Sequence, residues 1–246
     1  VVQTDRGEVA IFETPADLAA GLAQLIADCA SFAITERGAF YIALAGGTTP
    51  SAAYKLLGEE PISTEISWDD TFIFFSDERC VSPDDPESNF KMAKETLLKH
   101  IKIPPHNVHR MRGEDDPSQA AAAYEKLIHE DLGENPRFDL ILLGMGSEGH
   151  TASLFPGSVP ADDGRTLVAA PYISKLKAHR ITFTPRLINN ARRVAIATEG
   201  AGKAATLAAA MNGPSRPDLY PIQLVAPTDG NLRWMVDRVA ASELDS

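Results

Sequence analysis

Short, nearly continuous apolar runs separated by helix-length amphipathic stretches constrain this chain most. Phe40–Ala45, Thr71–Phe75 and Phe138–Leu143 are each only five or six residues long and give way at once to a polar or glycine-bearing loop. Runs of this kind suit strands buried on both faces, as in parallel sheets covered by helices. Between them, Pro15–Phe32 carries Leu18, Leu22, Leu25 and Ile26 on one helical face. Val9–Phe12, Val108–Met111, Leu167–Ala170, Arg180–Phe183 and Val194–Thr198 read as further strands, and Ile222–Val225 as the last one. Helices are expected after Thr49-Pro50 and over Ser88–Lys99, Pro117–Asp131, Pro185–Asn190 and Gly202–Met211, with Asn212-Gly213 as a stop and Leu232–Ala241 as the closing helix. The predicted architecture is α/β: an open, mostly parallel, Rossmann-like sheet with helices on both faces, one domain over 1–246, and an irregular excursion at 156–180.

Composition narrows the class. With 246 residues, 44% of them hydrophobic, the chain can bury one substantial core. A net charge of −11 argues against nucleic acid or an acidic membrane as partner, yet leaves room for a small phosphorylated ligand held by a few cations. Cys29 and Cys80 form no disulfide framework and no metal-ligand pattern, which fits a reducing cytosol. The first residues lack a signal-peptide pattern, and no apolar run approaches the roughly 18 residues of a membrane span. A cytoplasmic protein is expected. His106 and His109 lack a third ligand at useful spacing, so no metal site is expected. His100, His129 and His179 read as surface or capping residues, and Trp68 and Trp234 as packing residues.

Four polar loops follow four strand-like runs, and in α/β sheets ligands sit beyond the carboxyl ends of the strands. Gly46-Gly47-Thr48 leads into a helix N-terminus, either as a tight turn or as an anion cradle of backbone amides and hydroxyls. Asp77-Glu78-Arg79 places three charges at the end of a buried strand; they either pair among themselves or send at least one side chain, such as the planar fork of Arg79, into a cleft. Gly144-x-Gly146-x-x-Gly149 matches a dinucleotide fingerprint, but Pro156 and Pro160 interrupt the helix that should follow, so no nicotinamide or flavin is expected. Glu148 and His150 on that loop combine a carboxylate with an imidazole that can serve as a base near neutral pH, or as a hydrogen-bonding loop histidine. Lys203 opposes the dipole of the helix it begins unless an anion is near; otherwise it is a solvated surface lysine. Arg180, within a strand, either enters the same crevice or pairs with an acid.

Taken together, Gly46-Gly47-Thr48-Thr49-Pro50, Ser76-Asp77-Glu78-Arg79 with Ser88-Asn89, the run Gly144 to Gly157, Arg180-Ile181-Thr182, Gly202-Lys203 and the closing segment Gly230 to Ala240 with Trp234 and Asp237 resemble the 6-phosphogluconolactonase family over nearly the whole chain. The family usually carries aspartate where this chain has Glu148. The resemblance implies a fold like that of glucosamine-6-phosphate deaminase and ribose-5-phosphate isomerase. It also implies hydrolysis of 6-phospho-D-glucono-1,5-lactone in the oxidative pentose phosphate pathway. His150 would be the general base with Glu148 beside it. Gly46, Gly47, Thr48, Asp77, Arg79, Arg180 and Lys203 would hold the substrate, without metal or cofactor, in a monomer or weak homodimer. The alternatives are a deaminase-like isomerase and a non-catalytic sugar-phosphate sensor. The deaminase histidine motif continues Ile-Ala-Phe-Asn-Glu-Pro, whereas this one continues Thr151-Ala152-Ser153-Leu154-Phe155-Pro156.

Overall fold

Alternating side chains along each buried strand divide the core into two layers, one on either face of a central sheet. The computed structural model describes residues 1–229 and 231–244. In chain order the elements are β1 (Val2–Thr4), β2 (Gly7–Phe12), α1 (Pro15–Arg37), β3 (Phe40–Leu44), α2 (Thr48–Leu57), α3 (Ile62–Glu65), β4 (Thr71–Phe75), β5 (Asp77–Arg79), α4 (Asn89–Ala93) and α5 (Pro117–Leu132). They continue with β6 (Leu140–Gly144), β7 (Val168–Ala169), β8 (Tyr172–Ile173), β9 (Ala178–Phe183), α6 (Pro185–Asn189), β10 (Val194–Thr198), α7 (Ala204–Asn212) and β11 (Leu232–Asp237). The main sheet has seven strands in the order β1-β2-β11-β10-β6-β3-β4. All of its pairings are parallel except β1 with β2.

Phe40, Ile42 and Leu44 of β3, Ile73 and Phe75 of β4, and Leu140 and Leu142 of β6 pack towards α1 and α2. Ala43, Phe74, Ile141 and Leu143 face the opposite layer with Tyr124, Phe138 and Leu207. The period of two follows from the pleat, and burial on both sides explains why the runs are apolar throughout. Helix α1 begins with a capping box between Thr14 and Asp17 and runs past Phe32 until Gly38, at φ 80°, ends it in the left-handed conformation. By length and a mean hydropathy of 1.5 it is the one helix, among the described residues, long and apolar enough to cross a membrane. Leu18, Leu22, Leu25, Ile26, Ala30 and Ala33 are instead buried against the sheet and its neighbours.

Chain direction decides where the sheet can bind. From β3 the chain steps outward to β4, then returns to β6 on the other side of β3 and continues outward through β10 and β11. The reversal between β3 and β6 is a topological switch point, where the loops after the two strands part and leave a crevice.

Four expectations are corrected. Leu232–Ala241 does not form a closing helix: Leu232–Asp237 is a parallel strand inserted between β2 and β10. Leu232, Trp234 and Val236 fill one core and Met235 the other, a division that only a period of two can satisfy. Ile222–Val225 is not the last strand. Pro221–Leu224 is a single 3-10 turn, whose Ile222 amide donates to the Gly149 carbonyl at 2.9 Å. Val108–Met111 shrinks to a bridge between Val108 and Ile73. Finally, Asp77-Glu78-Arg79 is not a loop, because it pairs antiparallel with β9 in a second, small sheet. Strands β7 and β8 and the start of β9 fall in the second part of the 156–180 stretch, whose first part, 156–167, is irregular as expected. Gly230 lies outside the described residues.

Candidate active site

The crevice at the switch point is a cleft of about 240 Å³ lined by the loop after β3 (Ala45 to Pro50), by Asp77, Arg79 and Asn89, by Gly144 to Gly146 with His150, and by Thr198, Glu199 and Lys203. The four loops singled out in the sequence thus meet around one cavity. Arg180 stands just outside this lining, paired in register with Arg79 across β5 and β9.

The loop after β6 is shaped by its glycines and closed by Thr151, whose hydroxyl donates to the Gly144 carbonyl at 2.8 Å. The Gly146 amide donates to the His150 carbonyl at 2.8 Å, and the Gly149 amide to the Gly146 carbonyl at 3.0 Å. A Cβ on Gly146 would lie 2.0 Å from Nδ1 of His150, so only glycine lets the imidazole rest against this backbone. The other ring face stacks on Phe155, with centroids 4.1 Å apart and planes 18° from parallel. No helix follows the third glycine, so the dinucleotide pattern is a coincidence of spacing.

Nδ1 of His150 faces Oε2 of Glu148 at 3.3 Å, an ion-pair distance without good hydrogen-bond alignment. Burial pushes the imidazole below its ordinary pKa, and the opposing pull of Glu148 and Asp77 does not overcome it. The neutral imidazole is therefore favoured near neutral pH. Burial would raise the Glu148 carboxyl, but its own backbone N–H, His150 and Lys175 together hold it at about 2. A carboxylate facing Nδ1 favours the proton on that nitrogen and leaves the Nε2 lone pair free to accept another.

The three charges after β4 separate instead of pairing. Glu78 turns inward and accepts from the Asn89 and Phe90 amides, both at 2.8 Å, and from the Ser88 hydroxyl at 3.1 Å, so that it caps α4. Burial raises its pKa despite these donors. Asp77 borders the cleft, with Oδ2 accepting from Ser153 at 2.7 Å and Oδ1 from Asn89 at 3.1 Å. Arg79 reaches the rim, where Nη1 donates to the Glu87 carbonyl. Among the described residues, none of the ion pairs joins these three. Arg79 directly opposite Arg180 is a like-charge cross-strand pair, an arrangement that costs stability unless an anion is shared. Burial, then the Arg79 charge, lowers the Arg180 pKa.

Gly47, at φ 106°, begins α2 without a side-chain cap, leaving first-turn amides at the cleft wall. A Cβ on Gly46 would overlap the Asn89 amide group at 2.0 Å, which ties this turn to the Asp77 network. Lys203 immediately precedes α7, and among the described residues no ion pair engages it. Its turn is held by buried Asp237, which accepts from the Gly200 amide at 3.0 Å and the Ala240 amide at 2.8 Å.

Several contributors carried no local signal in the sequence. Ser153 and Phe155 lie inside the motif, but their contacts with Asp77 and His150 depend on how the loop folds back. Lys175 bonds Glu148 at 3.2 Å from another sheet, across 27 residues of sequence. Thr198, at the end of β10, is 2% exposed, and its hydroxyl finds no hydrogen-bond partner among the described residues. Burying such a hydroxyl costs about 1–3 kcal/mol, so Thr198→Val, which keeps the shape, is expected to stabilise the chain by on the order of 1 kcal/mol. A calorimetric Tm below that of the wild type would contradict this. Elsewhere, His109 packs on Phe74 and pairs with Asp131 at 3.1 Å, away from the cleft. Trp68 and Trp234 are buried and donate to the Ser63 and Arg6 carbonyls.

Comparison with known proteins agrees with this geometry. The family model described as glucosamine-6-phosphate isomerases/6-phosphogluconolactonase matches residues 13–234. The chain is similar to probable 6-phosphogluconolactonase 1 of Arabidopsis thaliana, with 37% identity over 98% of this chain and 95% of that one. It is also similar to 6-phosphogluconolactonase of Synechocystis sp., with 39% identity over 86% and 88%. The structure of 6-phosphogluconolactonase from Trypanosoma cruzi superposes with a TM-score of 0.87 and 29% identity, covering 99% of this chain and 98% of that one. On these matches, extending over almost its full length, the chain belongs to the glucosamine-6-phosphate isomerase/6-phosphogluconolactonase family.

Proposed function

We propose that this chain hydrolyses 6-phospho-D-glucono-1,5-lactone to 6-phospho-D-gluconate, the second step of the oxidative pentose phosphate pathway, working as one domain. The observation that carries the reading is a half-buried imidazole on a glycine loop, its pKa held below the ordinary histidine value, facing a cleft that also holds Arg79 and Lys203. The family's curated lactonases, matched over most of the chain, support the same reaction.

In this mechanism Nε2 of His150 takes a proton from a water molecule as its oxygen attacks the lactone carbonyl. Glu148 steadies the imidazolium formed. The tetrahedral intermediate collapses by breaking the bond to the ring oxygen, which recovers the proton from the imidazolium. The Gly146 and Gly149 amides are already used within their own loop. The start of α2, with Gly46, Gly47 and Thr48, offers uncapped backbone donors to the lactone oxygens. Asp77, fixed by Ser153 and Asn89, accepts from a sugar hydroxyl. Arg79, with Arg180 beside it, and Lys203 hold the phosphate. The continuation Thr151 to Pro156 supports lactone hydrolysis over deamination.

The chain acts in the cytoplasm on a small-molecule substrate, as a monomer or weak homodimer, without a nucleic-acid or membrane partner and without metal or cofactor. A pH-stat assay on freshly made lactone, with spontaneous hydrolysis subtracted, tests the activity. Catalysed acid release that saturates with lactone is expected. Tight binding of the lactone without turnover would identify a sugar-phosphate sensor instead.

A further inference from the structure

Glu148 is shared. One carboxylate oxygen faces Nδ1 of His150 at 3.3 Å, and the other accepts from Nζ of Lys175 at 3.2 Å. Lys175 stands on the turn between β8 and β9, closed by the Leu176 amide donating to the Ile173 carbonyl at 3.0 Å and the Lys177 amide to the Ser174 carbonyl at 3.3 Å. Lys177 takes the left-handed conformation there, at φ 50°. This hairpin is tied to the site from two sides. β9 pairs with β5, which carries Asp77 and Arg79. Thr182 of β9 accepts from the amide of Ser153 at 3.2 Å, within the stretch that follows His150. The base of the hairpin is fixed by buried Ile173, so the lysine is presented to Glu148 by a framework already attached to the catalytic loop.

We infer that Lys175 is a positioning residue for the proposed base, holding one oxygen of Glu148 and limiting how strongly that carboxylate stabilises protonated His150. The inference rests on the reading of His150 as the base. Its physical content is competition for one negative charge. A carboxylate beside an imidazole favours the charged ring, and a second cation on that carboxylate weakens the effect. Without Lys175, no second cation would draw on Glu148, which also accepts from the Ser147 hydroxyl at 3.4 Å, and more of the imidazole would be protonated at a given pH. The other charged groups acting on the ring are Asp77 from β5, which favours protonation, and Lys203 before α7, which opposes it. Arg79 and Glu199 line the same cleft. Among the described residues, neither Asp77 nor Lys203 bonds Glu148, whereas Lys175 does.

The lysine side chain is 72% exposed and the glutamate 30%, so solvent screens the pair and its effect is modest. Lys175→Met is expected to raise the His150 pKa by about 0.2–0.7 of a pH unit. The readout is the imidazole Cε1 proton in an NMR titration of the full chain, assigned by its disappearance in His150→Asn. The acidic limb of kcat/KM should move upward by the same amount, and Lys175→Arg should restore both values. Glu148→Gln alone should move the limb the other way, because removing the carboxylate lowers the histidine pKa. In the Glu148→Gln background most of the Lys175→Met shift should vanish.

An unchanged His150 titration in Lys175→Met would overturn the inference. So would a shift of undiminished size in the Glu148→Gln background, which would mean that the lysine acts on the ring directly through space. A rise in KM confined to the phosphorylated lactone, with the titration unmoved, would make Lys175 a substrate contact instead. Because the NMR titration needs no turnover, it decides this point separately from the assay of His150 variants that decides whether the imidazole is the base.

Discussion

Replacing His150 with asparagine is expected to lower kcat/KM for the phosphorylated lactone by about 10²–10⁴ while leaving the fold intact. Asparagine keeps a polar side chain of smaller volume on the glycine loop but cannot take a proton from water. The loop is held by backbone bonds among Gly146, Gly149 and His150 and by Thr151, none of which uses the imidazole. The lost stacking on Phe155 is confined to one ring face. The check is kcat/KM at neutral pH together with a thermal melt. Near-wild-type turnover by a folded variant would remove His150 from the role of base. The wild-type profile should itself fall on the acid side, and because burial lowers the imidazole pKa, that fall should centre below the ordinary histidine value.

The second large effect concerns the cations. Arg79→Gln and Lys203→Gln should each weaken use of the phosphorylated lactone by about 10–100-fold, the worth of a hydrogen bond to a charged group. Activity on unphosphorylated gluconolactone should change far less. The comparison is informative because both substrates share the ring and the scissile bond and differ only in the phosphate. Equal losses on both substrates would place these side chains on the ring or in the fold. Removing Arg79 should also relieve repulsion. Arg79 lies opposite Arg180, and Lys203 is engaged by no ion pair among the described residues, so neither loss leaves a buried partner unsatisfied.

The strands buried on both faces were legible because their chemistry is redundant. Thr71–Phe75 and Val194–Thr198 have no charged side chain within them, and they form strands with those same bounds. Leu232–Asp237, by contrast, carries Arg233 and Asp237 among its apolar residues, so residue type does not mark it as a buried strand. Its strand character comes from two cores that claim alternate side chains, and the sequence names neither core. The first half of Ser88–Lys99 is α-helical, whereas Lys94–Leu98 closes as a π turn, a change of hydrogen-bond register with no marker in residue type.

The site divides in the same way. The amino-acid order alone determined that glycine-bearing and charged loops follow buried strands, that His150 sits on one of them, and that the chain resembles a lactonase family. These features are local, since a glycine turn, a strand end and a motif each lie within a few residues. Only the tertiary structure decided which of Asp77, Glu78 and Arg79 faces the cleft, because that depends on β5 pairing with β9 and on α4 claiming Glu78. It also decided that Lys175 reaches Glu148 and that the Thr198 hydroxyl is buried without a partner among the described residues. Electrostatic coupling and burial act through space at distances of a few ångströms, and residues 27 positions apart in sequence become neighbours only when the second sheet folds against the first.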